Sequence, residues 1–200
     1  MKLVAALVVL LCGSSVAFGQ LFEAGMSFGE SILNKANIGS DVLSASPAPG
    51  ANISLTNGFR FGFRVTLNTY RYLGWEFGYA YNRTQLHLDG PPVSELGMAV
   101  HQPFGDGLFY LTSEGSRIRP FVAAGIQDSN FVPPGSSVSS GGGDNKFGFN
   151  YGLGVKVKVR DNWLVRGDFR QYESGKPFNL PNQSGRLFQN EISVGFAFAL

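Results

Sequence analysis

Cysteine is all but missing from this chain of 200 residues, and the single copy, Cys12, lies close to the N-terminus. Beyond it no disulfide can form and no thiolate is available to a metal, so whatever holds the fold together is neither. Histidine is nearly as scarce. His87 and His101 are the only two, and neither has the spacing that sets a base beside a serine and a carboxylate, or that builds a metal-ligand set. No catalytic residue, cofactor-binding residue, metal site or cofactor is therefore expected. Charge is sparse too, at 15% of residues, where roughly a quarter is usual. The 16 Lys and Arg against 14 Asp and Glu leave +2, which supplies no basic field for nucleic acid and no acidic tail. Finally, no apolar run is long enough for a membrane helix, which takes about 20 residues. If the chain enters a bilayer, it must do so as strands.

The longest apolar run, Leu3 to Leu11, follows Lys2 and precedes small residues at Ala17 and Gly19. That is the layout of a cleaved secretory signal peptide, expected at residues 1–19 with Ala17 as the alternative cleavage point. Cys12 follows Leu11 rather than the small residue of a lipidation site, so it is expected to leave with the signal. Residues 20–200 form the second expected unit.

What the chain has in quantity is glycine, with 27 copies, and phenylalanine, with 18. They fall into period-two alternation, the pattern of a strand with unlike faces. Phe22 to Phe28, Phe59 to Leu67, Leu73 to Tyr81, Phe147 to Val159, Trp163 to Phe169 and Ile192 to Leu200 all alternate bulky apolar residues with small or charged ones. Two more strands are expected at about Val100 to Leu111 and Ile118 to Phe131. Their facing is open, because Phe109 and Leu111 compete with Leu108 and Tyr110 for one face. The connections alternate in length. NTYR, TSEGSR and RDN are short, whereas roughly 31–57, 85–99, 132–145 and 174–186 are long and rich in Gly, Ser, Pro and Asn. An up-and-down chain with that rhythm gathers its short turns at one end and its long loops at the other.

Eight such strands close into a barrel with an interior barely wide enough for side chains. The rings on the alternating strands would overfill it, while the glycines opposite them suit it. The apolar face must then look outward, which only lipid tolerates. The expected fold is all-β, an eight-stranded antiparallel up-and-down transmembrane barrel. By parity Glu23, Arg60, Arg64, Glu76, Lys156, Lys158, Arg166, Asp168, Arg170 and Glu191 face the bore, where opposite charges should pair. Trp75, Trp163, Tyr70, Tyr72, Tyr79 and Tyr81 fit interfacial girdles.

The signal peptide, the eight alternating strands, IRPFVAAG after the TSEGS turn and the terminal GFAFAL together resemble the OmpA-like outer-membrane β-barrel family. The resemblance implies a barrel without a peptidoglycan-binding domain, outer-membrane lipids as surroundings, and location in the outer membrane of a Gram-negative-type bacterium. It also implies insertion by the barrel-assembly machinery, which would read Phe196, Phe198 and Leu200, with Leu200 in place of the family's usual terminal Phe. The expected role is structural or surface-interacting and non-enzymatic. The four long loops would meet a surface ligand and an ion-pair network would fill the bore. A narrow solute or ion pore is the alternative, and a lipid-A-modifying enzyme a further one.

Overall fold

The computed structural model describes residues 22–40, 52–89, 94–137 and 142–200. The expected signal peptide, with Cys12, lies outside them. Ten strands follow one another: β1 Phe22–Ile32, β2 Ala36–Ser40, β3 Asn52–Leu55, β4 Gly58–Tyr70, β5 Leu73–Asp89, β6 Ser94–Tyr110, β7 Ile118–Val132, β8 Asp144–Arg160, β9 Trp163–Ser174 and β10 Leu187–Ala199. All pairings are antiparallel. β1 runs along β10 from Glu23 opposite Ala199 to Ile32 opposite Asn190, and β5 meets β6, so the wall closes as an eight-stranded barrel.

The two additional strands extend that wall. β3 lies on β5 at Asn52 to Leu55, just above the stretch where β4 lies on it, and β2 pairs with β3. β2 thus prolongs β1 and β3 prolongs β4, each across a short break. At the first break Asn34 and Lys35 take positive φ, 49° and 54°, and the Asn57 side chain accepts hydrogen bonds from the Leu33 and Asn34 amides at 2.8 and 3.0 Å. The side chain stands in for the lost ladder bonds, as buried backbone donors require. The connection expected across 31–57 therefore contributes wall at 31–32, 36–40 and 52–55, and most of the one expected across 85–99 is wall too.

The reason the sequence hides these extensions lies in a change of facing. Going up from the short-turn end, the first charged, amide or histidine residue on the outer face is Glu30 on β1, Arg83 on β5, His101 on β6, Asp128 on β7, Gln171 on β9 and Asn190 on β10. Each lies about eight to ten residues along its strand, which at the tilt of such barrels gives an apolar face roughly 20 to 25 Å tall, close to the band that spans hydrocarbon. Below that border the outside is apolar and the inside polar. Above it the pattern turns over: Arg83, Gln85 and Glu95 face out, while Leu86, Met98, Val100, Phe131 and Leu187 face in. They join Leu33, Ile38, Ile53 and Leu55 in an apolar core, with Phe178 and Leu180 of the last long connection packed against it. That connection is fastened to β2 by a hydrogen bond from the Ser40 amide to the Pro181 carbonyl, 3.0 Å.

The facing left open on β6 and β7 is now defined. Phe104, Leu108, Tyr110 and Phe121 point into the bore, and Phe109, Leu111, Val122 and Ile126 point out. Three inward rings fit because their neighbours are glycines. A Cβ on Gly78 would run into the Phe104 ring and the Phe63 carbonyl, and one on Gly154 would lie 2.5 to 2.9 Å from the Phe121 ring. Gly78→Ala should destabilise the barrel by about 1–3 kcal/mol, the usual cost of overpacking. A lowered urea midpoint in lipid vesicles is the expected reading, and an unchanged midpoint would show that the ring moves aside freely.

Candidate functional site

The bore below the apolar core is lined by alternate residues of all eight long strands, since period two sends every second side chain inward. Nine of the ten charged residues expected there are buried: Glu23, Arg60, Arg64, Glu76, Lys156, Arg166, Asp168, Arg170 and Glu191. β5 puts Glu76 at the centre. Arg166 of β9 clamps it with both terminal nitrogens, Nη2 at 3.1 Å from Oε1. Arg170 reaches Oε1 at 2.6 Å, and Thr66 donates to Oε2 at 3.0 Å. Asp168 accepts Arg166 Nε and Nη2 at 2.7 and 2.6 Å, with Arg64 at 3.3 Å. Arg64 also donates to Ser27 Oγ at 2.7 Å.

Above this knot Arg60 holds Glu191 at 2.7 Å. Its other nitrogens donate to Gln102 at 2.5 Å, Asn82 at 3.1 Å and the Tyr172 hydroxyl at 2.8 Å, and Tyr172 in turn donates to Glu191 at 2.8 Å. Below it Lys156 pairs with Glu23 and donates to the Tyr110 hydroxyl at 2.9 Å, while Asn68 donates to the second Glu23 oxygen at 2.8 Å. Five cations and five carboxylates are thus matched, the fifth carboxylate being Asp106, which pairs with Arg170 and accepts from Asn150 at 2.8 Å. Charge-assisted contacts of this kind are the strong ones. They occupy most of the charged donors and acceptors of the bore, with Arg64 Nε, Arg170 Nε and Glu191 Oε1 left without a hydrogen bond among the described residues. Inside, beside Arg64, Thr66, Lys156 and Arg166, remains a cavity of about 10 Å³, the room of a single water.

Lys158 departs from the expectation. It faces the short-turn mouth half-exposed and enters no ion pair among the described residues. Its strand ends two residues later in an irregular register before Trp163, so water rather than a carboxylate solvates it. Two charged bore residues escaped sequence reasoning. Asp106 sits on β6, whose facing was open. Arg119 lies on β7, 5% exposed, with its guanidinium 3.7 Å from the centre of the Tyr110 ring; the parity of Phe121 would have found it.

The named aromatics divide into two levels. Tyr70, Tyr72, Trp75 and Trp163 stand at the short-turn end, and Tyr79 and Tyr81 just below Arg83 at the upper border of the apolar face. Phe196, Phe198 and Leu200 point outward on β10. Trp163 packs edge-on against Phe198 at 5.4 Å, and the Leu200 amide bonds to the Phe22 carbonyl at 2.9 Å. His87 has Nε2 3.0 Å from Asp89 and Nδ1 3.4 Å from Glu95. No cluster of three or more His, Cys, Asp or Glu suited to a metal occurs among the described residues.

The family description "outer membrane protein beta-barrel domain" matches residues 4–199. No curated protein matches the chain. Among solved structures it is similar to the outer membrane protein OprG of Pseudomonas aeruginosa, at 15% identity and TM-score 0.64 over 90% of this chain and 95% of that one. The N-terminal β-barrel domain of Pseudomonas aeruginosa OprF follows at 12% identity and 0.53, over 92% and 100%. Neisserial surface protein A gives 13% and 0.54, over 90% and 96%. At such identities the likeness is one of fold.

Removing one partner of a buried pair strands the other charge, which costs about 3–5 kcal/mol. Glu76→Ala, which strips the carboxylate shared by Arg166 and Arg170, should cost at least that much in equilibrium urea unfolding. Lys158→Met should change it by less than about 0.5 kcal/mol, as for a solvated surface charge. Equal effects of the two would refute the placement of the network.

Proposed function

This chain belongs to the outer-membrane protein β-barrel domain family, and from that premise we propose that it is a closed, non-enzymatic barrel with a structural or surface-interaction role. The observation that carries this reading is the bore. Matched ion pairs fill its lower part, and an apolar core with Phe178 and Leu180 fills the upper part. A solute would have to break both. Its short-turn end faces the periplasm and the long connections face outward, as in barrels of this kind. The alternating face of β10, ending in Phe196, Phe198 and Leu200, is what the assembly machinery reads after the signal peptide has been removed.

Of the two histidines, His87 has Nε2 3.0 Å from Asp89, while its Nδ1, 3.4 Å from Glu95, makes no hydrogen bond among the described residues. His101 is engaged through Nδ1 by the Tyr79 hydroxyl. The polar upper wall, raised beyond the apolar face by β2 and β3, is the surface that a partner meets, and loops on such rigid walls are where contacts concentrate.

Planar-bilayer recording tests the closure. The purified protein should give no unitary steps above baseline, and reproducible single-channel conductance would favour the narrow pore. Shortening the connections at 41–51 and 138–141 should reduce adherence of expressing cells to host matrix or to one another. Unchanged adherence would leave the structural role alone.

A further inference from the structure

On the outer wall, where the apolar face of β5 and β6 gives way to polar residues, lies a recess of about 530 Å³ lined by Tyr81, Arg83, Gly97, His101 and the segment from Pro133 to Ser137. Arg83 is exposed, and among the described residues its side chain enters no ion pair and donates no hydrogen bond. Its guanidinium lies flat over Gly97, with Nη2 3.2 Å from where a Cβ would stand, so the missing side chain is what opens the recess. The Tyr79 hydroxyl and Nδ1 of His101 are hydrogen-bonded to each other, so Nε2 is the ring nitrogen that a ligand at this recess would meet.

Directly below on the same strand the outer face of β6 carries Pro103, Gly105 and Gly107, while its neighbours carry bulky groups. Around Gly107, nearer the short-turn end, opens a furrow of about 560 Å³ flanked by Trp75, Phe109, Val122 and Leu153 and almost wholly apolar, while the Phe77 ring covers Gly105. A polar recess at the border and an apolar furrow beneath it have the two halves of a lipid. An arginine at that height is matched to phosphate, because its planar fork makes paired hydrogen bonds to the oxygens.

We propose that the β5–β6 wall holds a lipid with a phosphate headgroup from the leaflet on the long-loop side. The phosphate lies against Arg83 and His101, and one acyl chain runs down the outer face of β6 so that its end lies in the furrow beside Gly107. The inference rests on the membrane placement and is independent of whether the bore conducts.

The test uses the full-length mature chain in detergent and a bis-phosphorylated glucosamine glycolipid, its dephosphorylated form and inorganic phosphate as probes, with retention read by native mass spectrometry. The wild type should retain the phosphorylated lipid in preference to the dephosphorylated one. R83Q should weaken retention about tenfold or more, as loss of a charged hydrogen bond does, and R83K by less. R186Q, at a residue whose ion pair among the described residues is with Glu173 at 2.8 Å, should bind as the wild type does, and all variants should keep the heat-modifiable mobility of the folded barrel. Gly107→Phe, which fills the furrow, should weaken both lipids alike. Wild-type binding by R83Q, equal retention of both lipids, or displacement of the lipid by equimolar inorganic phosphate would each overturn the proposal.

Discussion

Every long strand of this barrel crosses from one solvent into another, and the rest of the structure follows from that constraint. Where hydrocarbon lies outside, the outer face must be apolar, and the bore is left to polar groups. Where water lies outside, the ordinary arrangement returns and the apolar residues go in. β5 shows both regimes within one element: Trp75, Phe77 and Tyr79 face out with Glu76 inside, then Gln85 faces out with Leu86 inside. The backbone does not change across the border. Only the partition of side chains does.

Each regime closes the bore by its own means. Charges confined in the lower part are stable only as a matched set, because desolvation makes any surplus charge expensive. Five cations against five carboxylates, knotted at Glu76, meet that condition, and the sixth buried cation, Arg119, rests instead on the face of the Tyr110 ring. The space for them is set by the glycines, which let Phe104 and Phe121 enter without pushing the ion pairs apart. In the upper part dispersion and the hydrophobic effect take over, and Phe178 and Leu180 pack against the core there.

Much of this was legible in the residues. Strict alternation on β4, β5, β8, β9 and β10 gave both the strands and their facing, and parity then placed nine of ten charged bore residues. The rest was hidden for physical reasons. β6 reverses the size rule, with Phe104 and Tyr110 inside and Gly105 and Gly107 outside, because its bulk is accommodated by glycines on a different strand. Asp106, between them, was lost with its facing. The wall above the border is hidden in the sequence across 31–57 and 85–99, because an inverting pattern has no single period-two signal and because Asn34, Lys35 and Asn57 look like turn residues. Lys158 obeyed parity but not pairing, since parity says nothing about how near a strand end water reaches.

The most direct test of the change of regime uses a property of the sequence itself: beyond Cys12 there is no cysteine, so single cysteines can be spin-labelled along β5 in lipid vesicles. Collision with oxygen should dominate at positions 75, 77, 79 and 81, collision with a water-soluble nickel chelate at 83, 85 and 87, and neither at 78 and 80. Chelate access at 77, or oxygen access at 80 with 77 shielded, would contradict the orientation on which the whole account stands.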